Sequence, residues 1–311
     1  MRIESTPMKP LAAGLDYVDV EFLGQPGIIA TAVLHGSAGV ALVDPGPATS
    51  LPNLRNALMR MGIRIADVRH VLLTHIHLDH GGCAGTLVRE NAAIQVCVHE
   101  RGAPHLVDPT KLLASATRLY GQDMDVLWGE FLAVPPESLR VLKGGDRLVA
   151  GGRDLQVAYT PGHASHHVSY FDEASRVAFV GDTAGIRRGA GGYVMPPTPP
   201  PDIDLEAWRE SEQRILAWDP ETLFLTHFGP FHGARVHFQE LFSRLNDWSA
   251  IARRLLFDAS LSEDEREKCF VQEAMQDLRR TVGDEEAARY SRAGRLEYSW
   301  QGLARYWRKK S

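Results

Sequence analysis

The 311-residue sequence predicts a layered α/β domain followed by a helical C-terminal extension. Apolar, β-prone runs alternate with amphipathic stretches as far as Val98. That order of strand, helix, strand, helix, strand builds a layered α/β domain. A second series of short apolar runs, punctuated by glycine pairs, follows between Leu139 and Val180. From Ala234 the pattern changes to apolar residues recurring at three and four, the stripe of a long amphipathic helix. The expected division is residues 1–233 for the α/β domain and 234–311 for the helical extension packed on it.

In chain order, Tyr17 to Phe22 partly alternates. Gly27 to Leu34 and Val40 to Val43 are apolar runs separated by Gly36 and Gly39, so residues 17 to 43 read as strands. Asp44-Pro45-Gly46-Pro47 ends the sheet in a turn. Leu51, Leu54, Leu58 and Met61 fall at helical spacing, with Gly62 as the stop. Ile65 to Thr74 is extended, Gly82 to Glu90 is a short helix, and Ile94 to Val98 is the next strand. Lys111 to Phe131 reads as helical, with Leu112, Leu113, Ala116, Leu119 and Tyr120 on one face. The stretch Leu106 to Pro136 exceeds what a connector needs, and reads either as one wall of a pocket or as a surface addition. His99 and His105, in the loop before it, suit a pocket and a surface equally.

The second strand series comprises 139–142, 147–149, 155–160, 167–171 and 177–180. Residues 185–202 then hold four glycines and five prolines. Long irregular loops inside compact domains usually carry function. This one is expected to cover a site, with Tyr193 and Met195 as candidate pocket residues. Asp204 to Trp218 is amphipathic and can be capped by Asp202 or Asp204. Thr222 to Thr226 is the last expected strand. Beyond Ala234, Ser262-Glu263-Asp264-Glu265 is a capping box. The aromatic-rich stretch Asp284 to Trp307 is left three roles: packing on the core, closing a cleft, or forming a homodimer contact.

Composition narrows the function. A net charge of -5 gives no electrostatic case for nucleic-acid binding. No apolar run is long enough for a membrane span, and Met1 to Gly14 lacks the apolar core of a signal peptide. Cys83, Cys97 and Cys269 are odd in number and widely spaced, which fits a reducing, cytoplasmic setting rather than a disulfide framework. Cys83, close to His80, reads as a small buried residue.

The chemistry concentrates in Thr74-His75-Ile76-His77-Leu78-Asp79-His80-Gly81-Gly82. In an extended segment His75 and His77 point the same way. Asp79 and His80 follow where the glycines let the chain turn, and can face a second position beside the first. Histidine with carboxylate, and no thiolate, favours a catalytic metal site over a closed structural one. Two further histidines and an aspartate end apolar runs downstream: His163 in Thr160-Pro161-Gly162-His163, Asp182 in Phe179-Val180-Gly181-Asp182, and His227 in Leu225-Thr226-His227-Phe228-Gly229. His166, His167 and His232 are neighbours left unassigned.

The segment Thr74-His75-x-His77-x-Asp79-His80-Gly81, with His163, Asp182 and His227 in order, resembles the signature of the metallo-β-lactamase-fold hydrolases over residues 15 to 230. The resemblance implies a four-layer αββα sandwich with a C-terminal helical extension. It also implies two divalent metal ions, zinc foremost, with iron or manganese accepted by the same donors. One ion would be held by His75, His77 and His163, the other by Asp79, His80 and His227, with Asp182 bridging. Asp44 would lie beneath the centre as a hydrogen-bonding support. Asp79 and Asp182 would be the catalytic carboxylates, and a hydroxide shared by both ions the nucleophile. The bridging aspartate resembles glyoxalase-II-type thioesterases and lactonases more than true β-lactamases. The expected substrate is therefore a small lactone, ester or thioester. A phosphodiesterase, or a low-turnover ligand-binding or regulatory protein that retains the site, is the alternative. In lactonases a tyrosine often stands three residues past the bridging aspartate; here Gly185 stands there.

Overall fold

The computed structural model describes residues 9–189 and 192–311. Most of the stretch Met1 to Gly14, and Gly191 of the long loop, therefore lie outside the described residues. The first sheet contains β1 (Lys9–Ala12), β2 (Leu15–Asp19), β3 (Ala30–Gly36), β4 (Gly39–Val43), β5 (Val68–Leu72), β6 (Gln95–His99) and β7 (Leu139–Leu142), side by side in sequence order. Pairing is antiparallel from β1 to β4 and parallel from β4 to β7. The second sheet is formed by β8 (Arg147–Ala150), β9 (Arg153–Tyr159), β10 (Val168–Asp172), β11 (Val177–Phe179), β12 (Thr222–Leu225) and β13 (Gly229–His232). Its pairs are antiparallel except β11 with β12. The short strands β1 and β13 are additions to the elements read from sequence.

Strand periodicity sorts the side chains into three cores. Ala41 and Val43 of β4 face the second sheet, where Leu148, Phe179 and Phe224 meet them. Val40 and Leu42 face the other way, onto Leu54 and Leu58 of α1 (Leu51–Arg60) and Leu87 beyond it. On the second sheet Phe224 points inward. Its neighbours Leu223 and Leu225 point outward, onto an all-helical layer. Helix, sheet, sheet, helix is thus the layer order.

The helices beside the first sheet are α1, α2 (Leu78–Gly81), α3 (Ala84–Glu90), α4 (Ala103–Val107), α5 (Thr110–Tyr120) and α6 (Met124–Leu127). The single helix expected over Lys111 to Phe131 is broken at Gly121, whose φ of 54° belongs to the left-handed region. The layer against the second sheet holds α7 (Leu205–Ala217), α8 (Ala234–Leu256), α9 (Glu263–Val282), α10 (Asp284–Ala293) and α11 (Leu296–Lys310). Asp204 caps α7 by accepting from the Ala207 amide. Ser262 and Glu265 form the capping box that starts α9. Trp208, Trp248, Phe270 and Trp300 fill the space between these helices and the sheet. At Gly302 of α11 an added Cβ would sit 2.0 Å from the Thr198 carbonyl, so this helix lies directly on the 197–202 loop. Among the described residues, no helix is long and apolar enough to cross a membrane.

Candidate metal centre and cavity

The site lies at the carboxyl ends of β4, β5, β11 and β12, where four chain segments leave the two sheets together. Asp44 ties three of them. It is fully buried and takes a positive φ of 48° as the chain turns out of β4, a conformation aspartate tolerates better than most residues. Its carboxylate accepts from the Thr74 amide at 2.8 Å, the Thr74 hydroxyl at 2.7 Å, the Thr226 hydroxyl at 2.7 Å and His80 Nδ1 at 2.8 Å. The segments preceding both His75 and His227 are thereby fixed to one buried anion. Asp44 is thus hydrogen-bonded to the cluster itself through His80.

Around that anchor the structure brings together all seven residues named from the sequence. His77 Nδ1 lies 2.9 Å from His75 Nε2 and 3.0 Å from His163 Nε2. Asp79 Oδ2 lies 3.3 Å from His227 Nε2 and 3.8 Å from His80 Nε2. Asp182 stands between the two groups. Its Oδ2 is 3.4 Å from His163 Nε2, while its Oδ1 is 3.3 Å from His80 Nε2 and 3.6 Å from His227 Nε2. The sets His75–His77–His163, His75–His80–Asp182 and Asp79–His80–His227 each place their ligand atoms close enough to hold a metal ion.

Two observations test that fit. First, tautomers are set from outside the cluster. His163 Nδ1 donates to the Pro197 carbonyl at 2.8 Å and His227 Nδ1 to the Ile28 carbonyl at 2.7 Å. With Nδ1 carrying the proton, each Nε2 turns a lone pair inward, as metal-binding imidazoles require. Second, His80 Nε2 and Asp182 Oδ1 are buried without a hydrogen-bond partner among the described residues. Unpaired buried polar atoms are costly, and a cation between them removes the cost. The donor set therefore fits divalent metal ions.

Electrostatics agree. Burial, reinforced by neighbouring imidazoles, lowers His75 well below its usual value. Burial and His163 take His77 to about 4. For Asp182 and Asp79, burial opposes ionisation, but His80 and His227 outweigh it; Asp182 falls well below the carboxylate range and Asp79 to about 2. His80 and His227 move up, because the surrounding aspartates overcome the burial that favours their neutral form.

A cavity of about 720 Å³ opens from this cluster, a size typical of small-molecule sites. One wall is α5, through Leu112, Ala116, Leu119 and Tyr120, and another is the turn between α10 and α11, through Arg295 and Tyr298. The long insertion after Leu106 is thus a pocket wall, and the aromatic C-terminal segment both packs on the core and closes the cleft. The long loop contributes Ile186 and residues 197–202. Tyr193 and Met195, expected to line the pocket, do not. Both are fully buried in the helical-layer core. The Tyr193 hydroxyl donates to Asp277 at 3.0 Å and Arg244 lies over its ring. The Ile186–Met195 backbone bridge folds this part of the loop back under the C-terminal helices.

The unassigned histidines separate in the same way. His167 bonds the Thr160 and Thr183 hydroxyls at 2.9 and 3.1 Å and so braces the loops carrying His163 and Asp182. His166 and His105 line the cavity. His99 stacks on Tyr159 with centroids 4.3 Å apart, and His232 bonds Thr222. Sequence reasoning missed Phe22 as a cavity residue, and reached Trp128 and Tyr298 only through their segments, each of which had pocket placement as one of its open roles. It also missed the Pro197 and Ile28 carbonyls, for which backbone atoms leave no sequence signal.

Comparison with known proteins gives a consistent picture. Residues 24–227 match the family model described as metallo-beta-lactamase superfamily. A metallo-beta-lactamase fold-containing protein of Sulfurisphaera tokodaii is 28% identical over 213 residues, covering 68% of this chain and 75% of the relative. A hydroxyacylglutathione hydrolase of a Methylobacterium species is 27% identical over 188 residues, covering 59% of each chain. Among solved structures, a metallo-beta-lactamase family protein of Thermus thermophilus superposes with a TM-score of 0.69 at 22% identity, covering 96% of this chain and 95% of that one. That likeness is one of fold.

Proposed function

Because the chain belongs to the metallo-beta-lactamase superfamily, we propose that it is a binuclear metal-dependent hydrolase of a lactone, ester or thioester. The observation that carries the reading is the Asp182 carboxylate, with one oxygen beside His163 and the other beside His80 and His227. A carboxylate so placed joins two three-ligand sets. His75, His77 and His163 would hold one ion, Asp79, His80 and His227 the other, with zinc the first choice and iron or manganese compatible with the same donors. When bound, the ions supply Lewis acidity and lower the pKa of water toward neutrality.

The chain's own residues supply the rest. Asp79 is ionised at neutral pH and lines the cavity, so it acts as a proton acceptor beside the reacting atoms and can return the proton to the departing oxygen or sulfur. Asp44 holds His80 in the tautomer that leaves Nε2 free, and Pro197 and Ile28 do the same for His163 and His227. The apolar α5 wall supports an acyl substrate. The likeness to a hydroxyacylglutathione hydrolase supports thioesters within the range.

The test is acid release from a panel of lactones, carboxylic esters and thioesters by metal-loaded protein, with His77→Ala as the control. Turnover of at least one acyl class that disappears in the variant supports the reading. Phosphodiester cleavage with every acyl substrate inert would replace it.

A further inference from the structure

Four aromatic rings of the cavity touch in a chain. Phe22 stacks on Trp128 with centroids 5.6 Å apart and 18° between planes. Trp128 meets Tyr120 edge-on at 5.0 Å, and Tyr120 meets Tyr298 edge-on at 5.3 Å. All four line the cavity that contains Asp79, Asp182 and His227. They come from four separate places: the loop after β2, the end of α5, the residue after α6, and α11. Tyr120, at the centre of the chain, is held on both sides and cannot turn freely.

Among the described residues two tyrosine hydroxyls, those of Tyr17 and Tyr120, have no protein acceptor, and of these two only Tyr120 lines the cavity. Tyr159, Tyr170, Tyr193, Tyr290, Tyr298 and Tyr306 each donate to a protein acceptor. Tyr298, the ring beside it, uses its hydroxyl on the Leu119 carbonyl at 2.9 Å. Tyr120 has no such acceptor among the described residues, although its ring is locked and faces the cavity. Burial and the nearby Asp79 charge both raise its pKa, so the phenol keeps its proton and remains a donor. This donor, held in an aromatic panel and open to the cavity that Asp79 and Asp182 also line, is free to bond a group bound there.

We propose that these rings form the substrate's acyl subsite: the acyl group is a flat aryl group seated against Tyr120 and Tyr298, with Phe22 and Trp128 behind, and the Tyr120 hydroxyl donates to an oxygen borne by that group. The proposal rests on the hydrolase reading for the identity of the scissile bond, but binding to the panel does not require turnover. Aromatic contacts of this geometry favour an aryl over an alkyl group of equal size by about 3- to 10-fold. One neutral hydrogen bond adds a similar factor.

The experiment compares three thioesters of one thiol, carrying phenylacetyl, 4-methoxyphenylacetyl and octanoyl groups, by kcat/KM on the metal-loaded protein. The three free acids are titrated calorimetrically in parallel. Wild-type protein prefers both aryl groups over octanoyl, and the methoxy compound over phenylacetyl. Tyr120→Phe, which keeps the ring, erases only the methoxy preference, and does so in KM rather than kcat. Tyr298→Leu brings kcat/KM for both aryl thioesters down to the level of octanoyl in the same variant. Equal affinity for aryl and alkyl acids in the wild type, or a methoxy preference unchanged in Tyr120→Phe, overturns the proposal. If no thioester is cleaved but the acids bind in the stated order, the aryl subsite stands and thioesters drop out of the hydrolase reading. If thioesters are cleaved without aryl preference, the subsite alone falls.

Discussion

Replacing Asp44 by asparagine changes one atom's chemistry and should weaken one metal position. Asp44 Oδ1 accepts from the Thr74 amide, and Oδ2 accepts from the Thr74 hydroxyl, the Thr226 hydroxyl and His80 Nδ1. Asparagine keeps the shape and tolerates the positive φ. Its carbonyl can keep the Thr74 amide, which turns the NH2 toward the other three groups. Both threonine hydroxyls can rotate and accept. His80 cannot accept at Nδ1 unless its proton moves to Nε2, and Nε2 is the atom that faces Asp182 and Asp79. The variant therefore folds but presents His80 in the wrong tautomer. Losing such outer support costs about 10- to 100-fold in metal affinity, or about 1.4–2.7 kcal/mol. Competition against a calibrated chelator should show the position formed with His80 weakened by that factor and the His75–His77–His163 position little changed. Circular dichroism should show the native fold. Asp44→Ala, by contrast, leaves several buried donors unpaired, at about 1–3 kcal/mol each, and should fall below wild type in urea melts. A His80 position as tight in Asp44→Asn as in wild type would refute the tautomer argument.

Other outcomes follow from the same geometry. In the metal-free protein the aspartates raise His80 and His227, so loading metal at pH 7 should release on the order of one proton per chain; an indicator dye recording no release would contradict it. His237 is buried, with its Nε2 on the Ala184 carbonyl, and burial lowers it to about 4. The unfolded chain, with an ordinary value near 6.5, then binds the proton first. Stability from this group is complete above pH 6.5 and is lost as pH falls toward 4, by roughly 3 kcal/mol. Urea melts of His237→Gln should lose less stability than wild type between pH 7 and 4.5, and parallel profiles would sink the assignment. Gly302→Ala forces a methyl against the Thr198 carbonyl, so we expect a loss of about 1–3 kcal/mol; an unchanged melting temperature would show that α11 yields there.

The metal cluster was legible because its chemistry is local in sequence. Four ligands fall between Thr74 and Gly81, and the family resemblance they carry implied the other three, each at the end of a short apolar run. The layered fold followed from strand periodicity, as in Val40 to Val43, where alternate residues enter different cores. The caps at Asp204 and Ser262 were equally local. What escaped depends on distant partners. Tyr193 and Met195 sit in a loop whose composition suggested a lid, but helices formed some fifty to a hundred residues later turn them into core. The stretch Lys111 to Phe131 kept a helical pattern through Gly121, where a positive φ breaks it. Phe22 looks like an ordinary core aromatic, and the segments of Tyr120, Trp128 and Tyr298 keep several possible roles, until the fold places all four around one cavity.

The measurement that bears most directly on the account is the metal content of the reconstituted protein, by elemental mass spectrometry after removal of free ions, for wild type, His77→Ala and Asp182→Ala. The wild type should hold two divalent ions per chain. His77→Ala should retain one, since Asp79, His80 and His227 remain intact, and Asp182→Ala should bind both more weakly. A wild-type protein that takes up one ion or none, with its fold intact and excess metal supplied, would contradict the binuclear centre on which the proposed chemistry depends.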